Sequence, residues 1–438
     1  MSALPVISGQ PLPRGADAAD FLAAGWTTAQ VVAWLRERVV GYQSPPVIEV
    51  DEARPPVEEA PPLEAYDEAP PASPVGPAPF RLLGHLDGDY YYLPESTRQV
   101  VRLTAANHKS GQLLALAPID YWSQAFASKS GIDWTAAAGR TMQACAGKGF
   151  FSADKSIRGR GAWIDAGRPV LHMGGNVYVD GALFAPAAVP SEFVYPAAPS
   201  LELSRPPALE SQNAHKLVDI CTSFSWENPL SGQLLAGWLV IAPVCGMLRW
   251  RPHIYITGPS GAGKSWITDN VVDVVLGKMA IKIALSTTEA GIRQRLKHDA
   301  LPIVFDEADT EDKHSLARMQ AVFALARCSS SGAEIGKGTP DGKGMTFPMR
   351  SCFYFSSINT SIIQRADETR ISKLVLKEDI KADKKERFKA VKKAVFTTIT
   401  PDYSARLLAR SLANLKTLQA NCETFREAAL SVLDSSRT

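Results

Sequence analysis

The sequence predicts an α/β fold for its C-terminal half, with a small α+β domain ahead of it and a disordered linker nearer the N-terminus. Three features carry that expectation. Short apolar runs at 253–257, 281–285, 303–305 and 351–358 alternate with stretches of helical pattern, the layout of a parallel sheet with crossover helices. A glycine-rich turn lies between the first of these runs and the helix that follows it. Residues 45–79 consist largely of proline pairs and acids.

Taken in order, residues 1–44 hold one helical segment. Thr27 and Gln30 stand at capping-box spacing, Val31, Val32, Trp34, Leu35 and Val39 form an apolar stripe, and Gly41 ends it. The stretch FLAAGWTTAQVVAWLRE faintly resembles a helix-turn-helix, but no recognition helix follows, so a small docking helix is the simpler reading. The linker at 45–79 has too little apolar surface to offset its chain entropy.

Residues 80–200 read as the small α+β domain. Alternating segments at 80–83, 90–93 and 100–103 surround the turn Asp87-Gly88-Asp89, a helical portion runs over 118–147, and two strands flank Gly174-Gly175. Asp87 and Asp89 form a DxD, but a glycine between two aspartates and two strands is the chemistry of a hairpin turn. A helical collar at 201–250 carries an apolar run over 234–248 that must be buried. An α/β core at 251–380 and a helical lid at 381–438 complete the order.

Composition sets the class. Of 438 residues, 45% are hydrophobic and 21% charged, as in globular proteins able to bury sizeable cores. Formal net charge is +2, yet residues 46–79 hold eight acids against Arg54, which leaves +9 on the remainder. A basic body is compatible with a polyanionic partner. The six cysteines are scattered, with no CxxC pair, and read as buried thiols rather than zinc ligands. No apolar run reaches the ~18 residues of a membrane helix, and the first residues lack a signal-peptide layout, so a cytoplasmic location with no membrane association is expected.

The chemistry lies in four parts. Gly258-Pro259-Ser260-Gly261-Ala262-Gly263-Lys264-Ser265 matches GxxxxGK[ST] in full, between a buried strand and a helix ending near Gly277. Its backbone N–H groups, and those of Trp266 just inside the helix, would close around phosphate oxygens. Lys264 would reach the β and γ phosphates of ATP and Ser265 would ligate Mg²⁺. Second, the apolar run 303–305 ends in Asp306 and Glu307, 42 residues after Lys264 for the first acid. Asp306 would hold Mg²⁺ through water, and Glu307 would orient and deprotonate the attacking water.

Third, the strand near 351–358 finishes on Asn359, which would touch the γ-phosphate and the lytic water; an Asx turn after a strand is the alternative. Fourth, the loop 364–370 carries Arg370 and Arg365, either of which could reach a neighbouring subunit's γ-phosphate as charge develops there. Arg370 is the first choice, and a surface pair with Asp367 or Glu368 is the alternative. Between the helix at 312–327 and the Asn359 strand, two extended arms surround Pro340-Asp341-Gly342, a β-hairpin with Lys337 and Lys343 near its tip. Those lysines are either ordinary surface or phosphate contacts to DNA.

In this order the four parts resemble a P-loop ATPase of the AAA+ type. The segments STTEAGIRQRLKHDALPIVFDEAD, KGTPDGKGMTF and FYFSSIN, with GWLVIAPVCGMLRWRPHIYITG, YYYLP and RGRGAW upstream, resemble replication proteins of phages and integrative elements of the primase-helicase type. Their ATPase module is akin to superfamily 3 helicases. The resemblance spans most of 80–415 and implies an ATP- and Mg²⁺-dependent helicase. It would be a ring, a homo-hexamer, that moves along single-stranded or forked DNA in the replication of a mobile element, with the hairpin in its pore. No TOPRIM signature and no convincing primase DxD occur, so priming is not implied. Arg406 or Arg410 could serve as a second sensor, against the simpler reading of an exposed basic face. The rival function is an AAA+ helicase loader or protein-remodelling ATPase. Such pore loops usually carry an aromatic residue that this hairpin tip lacks. A nucleotide switch without turnover is disfavoured by Glu307 beside Asp306.

Overall fold

The computed structural model describes residues 77–438 except 285, 307–312, 333, 339–343, 359, 361, 379–383 and 434–438, together with 6–7 and 10–11. The helix expected at 27–41 and the linker up to residue 76 lie outside the described residues. The chain forms two compact units, residues 75–415 and residues 1–74 with 416–438. In the second of these, Val6–Ile7 pairs antiparallel with Gln10–Pro11, and residues 416–433 are helical.

The larger unit opens with an antiparallel meander of β1 (Phe80–Leu86), β2 (Asp89–Pro94) and β3 (Val101–Thr104). Asp87 and Gly88 both take positive φ, 52° and 79°, the primed turn that matches strand twist. Asp89 is buried and its carboxylate pairs with Arg102 across the sheet at 2.7 Å, a structural use of this acid. Helices α1 (Ile119–Ala125) and α2 (Trp134–Gly147) cover the meander, burying Phe80, Tyr92, Leu103, Trp122 and Cys145 together. The helical portion expected over 118–147 is interrupted by a two-residue pair, Ala127–Ser128 with Gly131–Ile132.

Where two strands were expected around Gly174-Gly175, there are four: β4 (Gly161–Asp165), β5 (Arg168–His172), β6 (Val177–Val179) and β7 (Ala182–Phe184). The extra turns are Ala166-Gly167 and Asp180-Gly181, each with both residues at positive φ. This meander is joined to the C-terminal half at its first strand. A Cβ on Gly161 would lie 2.2 Å from the Ala300 carbonyl, so only glycine permits the approach. Arg160 next to it grips Asp299 through two guanidinium bonds of 2.9 and 2.6 Å, while the Arg160 amide donates to the same carboxylate at 2.6 Å. Burial pushes the Asp299 carboxyl up, and Arg160 opposes that shift.

Helices α3 (Ser211–Thr222) and α4 (Ser231–Ile241) lead into the parallel sheet. Its strands are β8 (His253–Thr257), β9 (Ile281–Ile283), β10 (Ile303–Phe305), β13 (Phe353–Ser357) and β14 (Ile371–Val375). Between β10 and β13 the chain forms β11 (Glu334–Gly338) and β12 (Gly344–Pro348), a separate hairpin. The sheet order is β9-β10-β13-β8-β14, with every neighbour parallel.

The crossovers are α5, which runs from Lys264 to Leu276 through a π-helical turn at Thr268–Val272, then α6 (Glu289–Leu296) and α7 (Lys313–Ser331). Thr288 caps α6 by accepting from the Gly291 amide, and Gly277 at φ 54° ends α5. Both sheet faces are covered, which is why the strands read as unbroken apolar runs. Tyr255, Phe305, Phe353 and Phe355 pack with Met319 and Phe323 of α7 and with Ala162 and Leu171 of the meander. Ile254, Ile256, Val304, Tyr354 and Leu374 face α3, α4 and α5.

After β14 come α8 (Lys384–Thr398), α9 (Tyr403–Ala413) and α10 (Leu415–Leu433). Arg406 packs against Asp402 at 3.8 Å, and Arg410 donates to the Leu209 carbonyl and the Ser211 hydroxyl, both structural contacts.

Candidate functional site

The glycine loop leaves β8 at Gly258, whose φ is +150° and whose added Cβ would meet the Leu376 carbonyl at 2.5 Å. The loop therefore runs hard against the continuation of β14. Gly261 and Gly263, at φ 75° and 99°, turn it back, and Gly263 stands at the N-terminus of α5. The Lys264 ammonium, buried to 9% exposure, donates to the carbonyls of Gly258 at 2.7 Å and Pro259 at 3.0 Å. A cation and the N-terminus of α5 thus lie together at the loop, a combination that favours an anion. Ser265 is exposed beside them, with Pro259, Ser260 and Gly261 also exposed and Ala262 half-buried.

Asp306 follows β10 and is half-buried. Strand β13 separates β10 from β8, so the acid and the glycine loop stand at the C-terminal ends of strands with one strand between them. Tyr354 ties this intervening strand to the helix that follows the loop. Its hydroxyl bonds the Thr268 hydroxyl at 2.7 Å, and Thr268 in turn donates to the Lys264 carbonyl one helical turn back. Burial raises the Tyr354 phenol well above its ordinary range, Thr268 opposes that shift, and the negative charge of Asp306 adds to it.

The strand ends are tied as well: Tyr255 and Ser357 hydroxyls meet at 2.6 Å, and Thr257 donates to the Ile358 carbonyl at 2.8 Å. Sequence reasoning missed Tyr354 and Thr268. The available signals were a hydroxyl four residues after Lys264 and a phenol inside an otherwise apolar strand.

Glu307, Asn359 and Lys343 lie outside the described residues. Lys337 sits on β11 opposite Met345 of β12. This hairpin begins where α7 ends and returns directly to β13, in the order that the motif spacing suggests.

The arginine segment forms a short helical turn, Arg365–Glu368. Arg365 is exposed at its start. Asp367 is 1% exposed and takes its ion pair from Arg327 of α7 at 2.9 Å, not from Arg370. Burial raises the Asp367 carboxyl, against the pull of Arg327 and then Arg370. Arg370 donates to the Ala366 carbonyl at 3.0 Å and its guanidinium lies 5.9 Å from the Trp250 ring, which is half exposed.

Ser265 and Asp306 offer hydroxyl and carboxylate oxygens, the hard donors that Mg²⁺ prefers. Among the described residues no group of three or more His, Cys, Asp or Glu could hold a metal ion unaided. A pair of protein oxygens is the usual share where substrate phosphates supply others. Nor is any described helix long and apolar enough to cross a membrane.

No protein-family model and no curated protein matches the chain. Among solved structures it is similar to the apo C-terminal region of NrS-1, at 13% identity over 59% of this chain and 71% of that one, with a TM-score of 0.32. It is also similar to SCCmec type IV Cch, titled an active helicase, at 13% identity over 80% of this chain and 68% of that one, with a TM-score of 0.34. A JCV helicase matches 49% of this chain and 61% of its own at 9% identity and a TM-score of 0.29. At this distance none of them bears on the activity of the chain.

Proposed function

We propose that the chain is an ATP-driven DNA helicase or translocase of the AAA+ type, acting as a ring in the replication of a phage or other mobile element. The single observation that supports this most is the sheet order β9-β10-β13-β8-β14, which sets the glycine loop and Asp306 one strand apart with Tyr354 between.

In this reading the loop 258–266 binds the triphosphate, with Lys264 exchanging its carbonyl contacts for β and γ oxygens. Ser265 and Asp306 hold Mg²⁺, which when bound neutralises phosphate charge. Glu307 takes the proton of the attacking water, and Asn359 positions that water against the γ-phosphate. Arg370, or Arg365 in its place, supplies positive charge to the site of an adjacent subunit. Lys337 and Lys343 on the hairpin contact DNA phosphates, and residues 1–44 dock a replication partner. Mg²⁺ and ATP are the cofactors of this reading, a homo-hexamer its assembly, and the cytoplasm its place.

The test is displacement of a labelled strand from a forked duplex by the full chain with MgATP. Strand release that is absent with Lys264→Ala supports the proposal. A protein that hydrolyses ATP yet never releases the strand, under any loading condition, fits a loader or remodelling ATPase instead.

A further inference from the structure

Three aromatic rings stand in a row beside the glycine loop, and the reading of that loop as a triphosphate site does not use them. Trp266 directly follows Ser265. Its ring meets Phe388 of α8 edge-on, centroids 5.2 Å apart at 70°, and Phe224 on its other side at 6.1 Å and 63°. Phe224 belongs to the segment after α3 that runs along the end of β14. There the Glu227 amide donates to the Val375 carbonyl at 2.8 Å, and the Lys377 amide donates to that of Ser225 at 2.7 Å. Leu376, between those two, is the residue against which Gly258 packs. The row is thus built from the collar, the first turn of α5 and the helix after the sheet, all converging at one flank of the loop.

Within the row, burial is uneven. Phe224 and Trp266 are half-buried, whereas Phe388 keeps 44% of its surface exposed. An aromatic side chain left out of the core at the open end of such a row offers a π face to a flat ligand. In the triphosphate reading the base lies beyond the α-phosphate, and Phe388 is the exposed ring on this flank of the loop.

We propose that Phe388, braced by Trp266, presents the aromatic face on which the base of a nucleoside triphosphate stacks. The proposal rests on the reading of the loop 258–265 as the triphosphate site. It also gives α8 a role, since a helix far along the chain then touches nucleotide through one ring.

The experiment measures, by titration calorimetry on the full chain, the affinity for MgATP and for inorganic tripolyphosphate in wild type, Phe388→Ala, Phe388→Leu and Phe396→Ala. Stacking on one aromatic ring corresponds to a loss of about fivefold to a hundredfold on truncation. Phe388→Ala should therefore lose that much MgATP affinity while binding tripolyphosphate like wild type. Phe388→Leu, which keeps apolar volume without the π face, should fall between. Phe396, two turns further along α8 and 57% exposed, has no contact with Trp266 in the ring network, and Phe396→Ala should match wild type for both ligands.

Should Phe388→Ala fail to fold, Phe388→Leu decides. Wild-type ATP affinity in the Phe388 variants, or equal loss of ATP and tripolyphosphate, overturns the platform and leaves the triphosphate site standing. If wild type binds neither ligand, the triphosphate site itself is wrong and the platform falls with it.

Discussion

Lys264 and Glu307 should fail in different ways. Lys264 is held by two loop carbonyls, and in the proposed site its ammonium would serve the ground-state phosphates, so Lys264→Ala should abolish ATP binding. Glu307→Gln should keep binding and stop turnover, because only proton abstraction is lost. Equal loss of ATP affinity in both variants would remove the assignment of Glu307. His253 tests the fold rather than the chemistry. It accepts from the Phe353 amide at 3.0 Å, donates to the Ala326 carbonyl at 2.7 Å, and meets the Ser330 hydroxyl at 2.8 Å, so one imidazole fastens α7 to β8 and β13. Burial lowers its pKa to about 3 and that of His172 to about 4. The unfolded chain takes up these protons from about pH 6.5 downward, the folded chain only near those lower values. Stability should therefore be full above about pH 6.5 and drain away as the pH falls toward 4. Denaturant midpoints between pH 7.5 and 5 read this directly, and His253→Gln should lessen the slope. A flat profile in wild type would mean that the imidazoles are not held neutral.

At the scale of elements, the parallel sheet was the most legible part of the chain. Its strands are buried on both faces and their apolar runs have no competing period, so β8, β10 and β13 fall where the sequence places them. The stop at Gly277 was legible for a local reason, a glycine closing a helical pattern. Less legible were β4 to β7. Ala166-Gly167 and Asp180-Gly181 form turns because two successive residues take positive φ; the alanine gives little warning of the first, whereas Asp180-Gly181 is a hairpin signal that the expectation of two strands passed over. Helix α8 falls inside the lid expected over 381–438, but its bounds were not legible, because its buried anchor is Val395 and nearly half of its residues are charged. Of the candidate site, the loop and Asp306 could be read from motif spacing. The Tyr354–Thr268 bond could not, since it depends on which strand enters between β8 and β10. The hairpin of β11 and β12 carries its own test. Lys337→Ala with Lys343→Ala should leave basal ATPase nearly intact. The double variant should flatten the salt dependence of DNA binding by roughly one counterion per lost contact. Forked DNA bound as tightly as by wild type across a salt titration would take the DNA grip away from this hairpin.

For the whole molecule, the proposal requires that active sites be completed between subunits. Arg370 makes one hydrogen bond to the Ala366 carbonyl and lies beside the half-exposed Trp250, while the buried Asp367 is paired with Arg327, so its guanidinium is not committed to an intramolecular carboxylate pair there. Arg370→Ala should retain ATP and DNA binding and lose hydrolysis. Mixed with Lys264→Ala subunits, it should recover part of the activity, because some junctions then join an intact loop to an intact arginine. Failure of any mixture to recover activity would argue against Arg370 acting in trans, and the same mixing with Arg365→Ala would distinguish the two arginines. The residue and element tests converge on one property, the coupling of ATP turnover to nucleic acid. Measured on the full chain, the steady-state ATPase rate with MgATP should be low alone and rise severalfold on adding single-stranded or forked DNA, with Lys264→Ala inactive in every case. A rate that is identical with and without either DNA, at salt low enough for phosphate contacts to form, would contradict the proposed function.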